Sequence, residues 1–178
     1  MTQDDSVRQA ARLEALQARI AALEAERAVR KTMARYMALC DVPSGATSGE
    51  SLAALFADDA IWEGIGPQYA QKFGRMQGHA QIVAMLQRYL PPTPHFTTNV
   101  HFLTAETIEV TSSSAKGRWV MLQASGYLDA QAQLIAARLE VDFSPARDGE
   151  QWLIQHFRTE RLFDAPWHVN PPPGGAES

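Results

Sequence analysis

The chain is short of cysteine, of net charge and of long apolar runs, and each shortage excludes a class of protein. A single cysteine, Cys40, among 178 residues leaves no intramolecular disulfide framework and no cysteine-rich zinc or iron–sulfur site. Sixteen Lys and Arg against twenty Asp and Glu give a formal charge of −4, which speaks against the basic face of a nucleic-acid binder. No apolar run approaches the roughly 20 residues of a bilayer span. The start, Met1–Ala10, is polar and carries Asp4 and Asp5, so it offers no apolar centre for a secretory signal. The expectation is a cytoplasmic protein that engages neither nucleic acid nor membrane, consistent with an unpaired thiol. A 46% apolar and 20% charged composition belongs to a globular protein, and the length suits one domain with a real core. The five histidines are then its most suggestive polar groups.

The first forty residues have helical periodicity. Leu13, Leu16, Ile20 and Leu23 form a narrow stripe like a coiled-coil seam, which fails at Arg27 and Arg30. A second apolar set, Val29, Met33, Tyr36, Met37 and Cys40, starts in a new phase and belongs to a core helix. Residues 1–27 are therefore a helical extension, used for subunit contact or simply solvated, and the domain runs from 28 to 165. Pro43 and the Ser44–Gly49 stretch end the helix at Asp41. A short helix over Ser51–Phe56, a strand over Ala60–Glu63, a loop over Gly64–Gly78 and a helix over His79–Leu90 follow. Period-two patterning then predicts four long strands: His95–Val110, Ala115–Leu128, Leu134–Phe143 and Gln151–Phe163. Residues 166–178 are a Pro- and Gly-rich tail. Helices first and an antiparallel meander afterwards mean α+β, with a pocket between the curved sheet and the helices.

Several motifs are absent in substance. Gly64-Ile65-Gly66 lacks the third glycine of a dinucleotide fingerprint, and Ser125-Gly126 lacks the glycine of a nucleophile elbow. No pair of histidines has helical metal-ligand spacing, so no metal site is expected. Cys40 lies on the apolar phase of its helix and reads as a core thiol. More informative is His95–Phe102, where alternation puts His95, Thr97, Asn99 and His101 on one face. That face is polar and uncharged, which suits the wall of a small-molecule cavity or a solvated or interface surface. In the last strand, alternation groups Trp152, Ile154, His156 and Arg158. A cationic Arg158 there needs an anionic partner, either Glu140 or Glu160 or a substrate anion.

The order of these pieces resembles the nuclear-transport-factor-2-like superfamily, in its SnoaL-like and scytalone-dehydratase-like branch. The matching segments are Val29–Tyr36 running into Asp41, Leu55–Trp62, Gly78–Ile82, His95–Asn99 and the strand from Trp152. The resemblance covers about Ala28 to Ala165 and implies a cone-shaped, curved antiparallel sheet packed on N-terminal helices. Lyases of the branch, such as lindane dehydrochlorinase and bile acid 7α-dehydratase, use an Asp–His pair. By motif this implies Asp41 and His95 as catalytic groups, with Tyr36 as a hydrogen-bond donor and Arg158, or His156 with a register shift, as a cation. His95 would remove a proton from carbon while Asp41 steadies the imidazolium. The implied activity is a cofactor-independent lyase, a dehydratase acting on a small apolar cyclic substrate. Alternatives are an isomerase, a polyketide-cyclase-type proton-transfer enzyme or a non-catalytic binder of the same fold. Trp62, Phe96, Asn99, His101, Trp119, Tyr127 and His156 are the candidate substrate contacts. By analogy with such sheets, a homodimer or homotrimer is expected.

Overall fold

The computed structural model describes residues 3–147, 149 and 151–167. One long helix, α1 (Gln3–Cys40), leads the chain. After a 3-10 turn at Ala53–Leu55 come β1 (Phe56–Ile65), α2 (Gly66–Lys72), β2 (Arg75–Gln77) and α3 (His79–Leu86). Four long strands complete the fold: β3 (Phe96–Val110), β4 (Ala115–Tyr127), β5 (Ala132–Pro145) and β6 (Trp152–Pro166). They form a six-stranded sheet in the order β2-β1-β6-β5-β4-β3. β3 to β6 are the expected antiparallel meander, but β1 joins β6 in parallel, so the sheet is mixed. The expected loop over Gly64–Gly78 holds α2 and β2 instead. The tail beyond Trp167 lies outside the described residues, and among those described no helix is long and apolar enough to cross a membrane.

α1 has two environments. From Asp4 to Glu24 it is exposed, with Leu13, Leu16, Ile20 and Leu23 at 45–63% exposure. From Val29 onward its apolar face is buried: Val29, Met33, Tyr36, Met37 and Cys40 join the core with Leu139, Val141, Phe143, Ile154 and Phe157 from the sheet. Propensity carries the exposed part, because Ala, Leu, Arg and Glu dominate it and the anchored turns remove the cost of nucleation. Burial of a Leu- or Phe-sized side chain contributes about 1.5–3 kcal/mol, so the second half of the helix holds the sheet in place.

Two of the sheet's irregularities bear on which of the candidate residues face the cavity. A bulge lies between Phe96 and Thr98, opposite Tyr127 and Gly126. Another lies where Asp142–Phe143 face His156 and Ile154. Each adds one residue on one strand and reverses the faces beyond it. α2 is seated against β1 at Gly64: a Cβ there would overlap the carbonyl of Tyr69, so glycine permits the close approach.

Candidate active site

Between α1, α2, α3 and the concave face of the sheet lies a cavity of about 140 Å³, partly open to solvent. A cavity of roughly 150 Å³ accommodates one benzene ring, so the enclosed part is on the scale of one ring. Its walls are mainly Met, Leu, Phe, Tyr and Trp side chains, with Asn99, His101 and Gln123 as a polar strip.

That strip is built from the end of α1. Val42, just past the helix, pairs with Asn99 of β3 through two backbone hydrogen bonds of 2.8 Å. Asn99 also donates from Nδ2 to the Cys40 carbonyl at 3.2 Å, satisfying one of the carbonyls that a helix end leaves open. Its Oδ1 accepts from Gln123 Nε2 at 2.7 Å and from Ser125 Oγ at 2.8 Å. Asn99 is 3% exposed; it borders the cavity, and its polar atoms are engaged in locking α1 to β3 and β4.

The register set by that bridge places Asp41 beside His101. Asp41 Oδ1 accepts the His101 backbone N–H at 3.0 Å and lies 2.8 Å from His101 Nδ1. A proton on Nδ1 then donates to the carboxylate, leaving Nε2 as the basic nitrogen of an imidazole that lines the cavity. The pair is largely shielded, with side-chain exposures of 9% for His101 and 18% for Asp41.

The expected partner of Asp41 was His95, and no hydrogen bond joins those two. His95 precedes β3, in the turn that follows α3, where its backbone N–H donates to Thr93. It stands six residues before His101, roughly 20 Å of extended chain. Its ring lines the same cavity, edge-on to Tyr89, Phe96 and Tyr127 at centroid distances of 5.0, 4.4 and 5.7 Å. The bulge beside Thr97 explains the changed faces: Phe96 reaches the cavity wall, whereas Thr97, expected on the polar face, is exposed.

Tyr36, Trp62 and Tyr127 also line the cavity. Trp62 Nε1–H donates to the Tyr36 hydroxyl at 3.1 Å, and the Trp62 ring stacks on Phe157 at 5.7 Å. Burial pushes the Tyr36 phenol well above its ordinary range, with the Cys40 sulfur adding to the shift. The phenol therefore stays protonated and is a donor rather than a base. Burial likewise pushes the Cys40 thiol up to about 12, which makes it inert as a nucleophile.

Asp41 stands behind His101 and does not itself line the cavity, and three further sequence candidates lie outside it. The bulge in β6 turns Phe157 and Thr159 inward and leaves Arg158 and His156 on the opposite face. There Arg158 donates to Asp142 at 2.8 Å, to Glu140 at 3.4 Å and to His156 Nδ1 at 2.6 Å, while His156 Nε2 meets Glu63 at 3.1 Å. Arg158 has its carboxylate partners in the sheet and is not available to a ligand in the cavity. Trp119 is on the concave face, but at the end covered by α1, where its Nε1–H donates to Glu106 at 3.0 Å. Residues not anticipated from the sequence include Tyr69, Lys72, Phe73, Tyr89 and Gln123. The first three sit on or beside α2, whose short length and flanking glycines conceal it; Gln123 could have been found by extending the alternation of β4 inward from Tyr127.

The SnoaL-like domain family matches residues 21–158. Among solved structures, a hexachlorocyclohexane dehydrochlorinase, LinA type 2, superposes with a TM-score of 0.67 at 22% identity, covering 85% of this chain and 96% of that one. A scytalone-dehydratase-like protein from Novosphingobium aromaticivorans gives 0.66 at 21%, covering 87% and 97%. An NTF2-like protein with a cystatin-like fold from the same organism gives 0.59 at 22%, covering 90% and 92%. No curated protein matches. At these identities the likeness establishes the fold, and chemistry has to be argued from the cavity.

Proposed function

The chain belongs to the SnoaL-like domain family, and from that premise we propose that it is a small-molecule lyase that moves a proton without a cofactor, with His101 as the base. The observation that carries this reading is the Asp41–His101 contact at the wall of an apolar cavity. In an elimination, His101 Nε2 takes a proton from a carbon next to a carbonyl. The electron pair forms a double bond, and the leaving hydroxyl departs as water after taking the abstracted proton back from the His101 imidazolium. Asp41 fixes the tautomer and stabilises the imidazolium. The Tyr36 hydroxyl, kept protonated by burial, donates to the substrate oxygen. Such acid–base assistance contributes roughly 10²–10⁴-fold in rate. Trp62, Phe96, Tyr127 and Phe157 supply the wall for an apolar ring. An isomerase would use the same proton abstraction and return the proton elsewhere.

His95 supports a second reading. It lines the same cavity without a carboxylate partner among the described residues, and an imidazole so placed serves as the base or as the acid that protonates the leaving group.

The test is deuterium incorporation at the α-carbon of a panel of cyclic β-hydroxy ketones in D2O, followed by NMR with water loss scored in parallel. Wild type is expected to exchange or dehydrate at least one member, and His101→Ala to lose roughly 10²-fold or more. Unchanged turnover in His101→Ala with loss in His95→Ala would transfer the base to His95. Exchange unaffected by either change would reject the proton-transfer reading.

A further inference from the structure

His101, held by Asp41, occupies one part of the cavity wall, and the chemistry at the other end is different. Tyr127 lies four residues beyond Gln123 on β4, about 13 Å along the strand, and Gln123 is the register partner of His101. Facing that end is α2. Its Tyr69 is buried and its last residue, Lys72, also lines the cavity. Lys72 is the one Lys or Arg among the lining residues, and none of them is Asp or Glu. Its ammonium lies 5.2 Å from the centre of the Phe73 ring, another wall residue.

Nothing among the described residues neutralises this charge. Lys72 is exposed on α2 and makes no ion pair among them, and a second cation, Arg161, adds to desolvation in lowering the lysine's proton affinity. Arg161 follows Thr159 on the inward face of β6. Its Nη2 pairs with Asp164 at 2.7 Å, while its Nε is buried and lacks a hydrogen-bond partner among the described residues. Arg161 thus has its carboxylate in Asp164, whereas Lys72 stands at the edge of the apolar cavity with no carboxylate partner among the described residues. An unmatched positive charge beside apolar walls is complemented by an anion carried on an apolar body.

We propose that this end of the cavity is a carboxylate subsite, in which Lys72 binds the carboxylate of an aromatic or alicyclic acid whose ring fills the apolar wall. The inference rests on the proposed function only in its consequence: the ring carbon that loses its proton is the part of the acid directed toward His101. Arg161 adds a second positive charge near Lys72, and no Asp or Glu lines the cavity.

A matched pair of probes separates charge from shape. Isothermal titration calorimetry with benzoate and benzamide at pH 7 is expected to show the carboxylate bound roughly tenfold more tightly by wild type. Lys72→Met is expected to bind the two equally, with the amide's affinity unchanged, and Lys72→Arg to keep most of the preference. Equal affinities in wild type, absence of benzoate binding, or a preference that survives in Lys72→Met would overturn the subsite. His101→Ala keeps the two proposals apart. It is expected to retain the carboxylate preference while losing proton transfer, so a failed base assignment leaves the binding result standing, and the converse also holds.

Discussion

Asp41 grips His101 twice with one oxygen, accepting from the backbone N–H at 3.0 Å and meeting the ring Nδ1 at 2.8 Å. The backbone contact fixes where the carboxylate sits, and the ring contact fixes which imidazole nitrogen is basic. Groups coupled in this way lose function together. Asp41→Asn and His101→Ala are each expected to reduce proton transfer by roughly 10²–10⁴-fold. The double variant should be little worse than His101→Ala alone. Turnover rates of the three variants on one substrate check this, and multiplicative losses would show that the two residues act independently.

Asn99 is the hub beneath that pair. Asn99→Ala removes the donor to Cys40 O and the acceptor shared by Gln123 and Ser125. Leaving buried partners unsatisfied costs about 1–3 kcal/mol, so urea unfolding should shift by that amount. Because the Asn99 side chain holds the Cys40 carbonyl next to Asp41, kcat should fall more than KM rises. Ser125→Ala, which leaves Asn99 and its bond to Cys40 in place, should cost less stability and leave kcat near wild type. Equal effects of the two changes on kcat would remove Asn99's positioning role.

The four long strands were legible because period-two alternation persists over more than ten residues, and α1 because its apolar phase shift at Val29 marks where the core begins. What alternation cannot carry is a bulge. One extra residue beside Thr97 brings Phe96 inward, and one in β6 sends Arg158 and His156 to the outer face; neither leaves a composition signal. Asp41 was recognisable as the acid at the helix end, but its partner depends on the Val42–Asn99 bridge, a contact between segments 57 residues apart. α2 escaped notice because seven residues flanked by Gly64, Gly66 and Gly74 contain too few turns for a helical period to show.

Alkaline pH should destabilise the fold through the buried thiol and phenol. Cys40 rises from an ordinary 9.0 to about 12, so between those values the thiol is ionised in the unfolded chain and protonated in the folded one. Unfolding then releases a proton, and stability falls as pH rises by about 1.4 kcal/mol per pH unit from this group. Tyr36, also raised by burial, adds a similar slope above its ordinary 10.0. Urea unfolding at pH 8, 9.5 and 10.5 should give a shallower decline in Cys40→Ala than in wild type. Parallel declines would show that the thiol is accessible to water in the folded state.

The exposed half of α1 provides the last test. From Asp4 to Glu24 the helix is solvent-facing, and burial of its apolar face begins only near Ala25 and Ala28. A chain starting at Ala25 keeps every core residue of α1, so its urea midpoint should correspond to a change within about 0.5 kcal/mol, with a reduced helical signal in circular dichroism. The seam of Leu13, Leu16, Ile20 and Leu23 has the spacing of a two-stranded coiled coil, and pairing of two copies along it would make stability depend on protein concentration. Light scattering on the full and shortened chains decides between these. Equal protomer number and equal stability mean that the seam is solvated; a loss of both on shortening means that a second copy buries it.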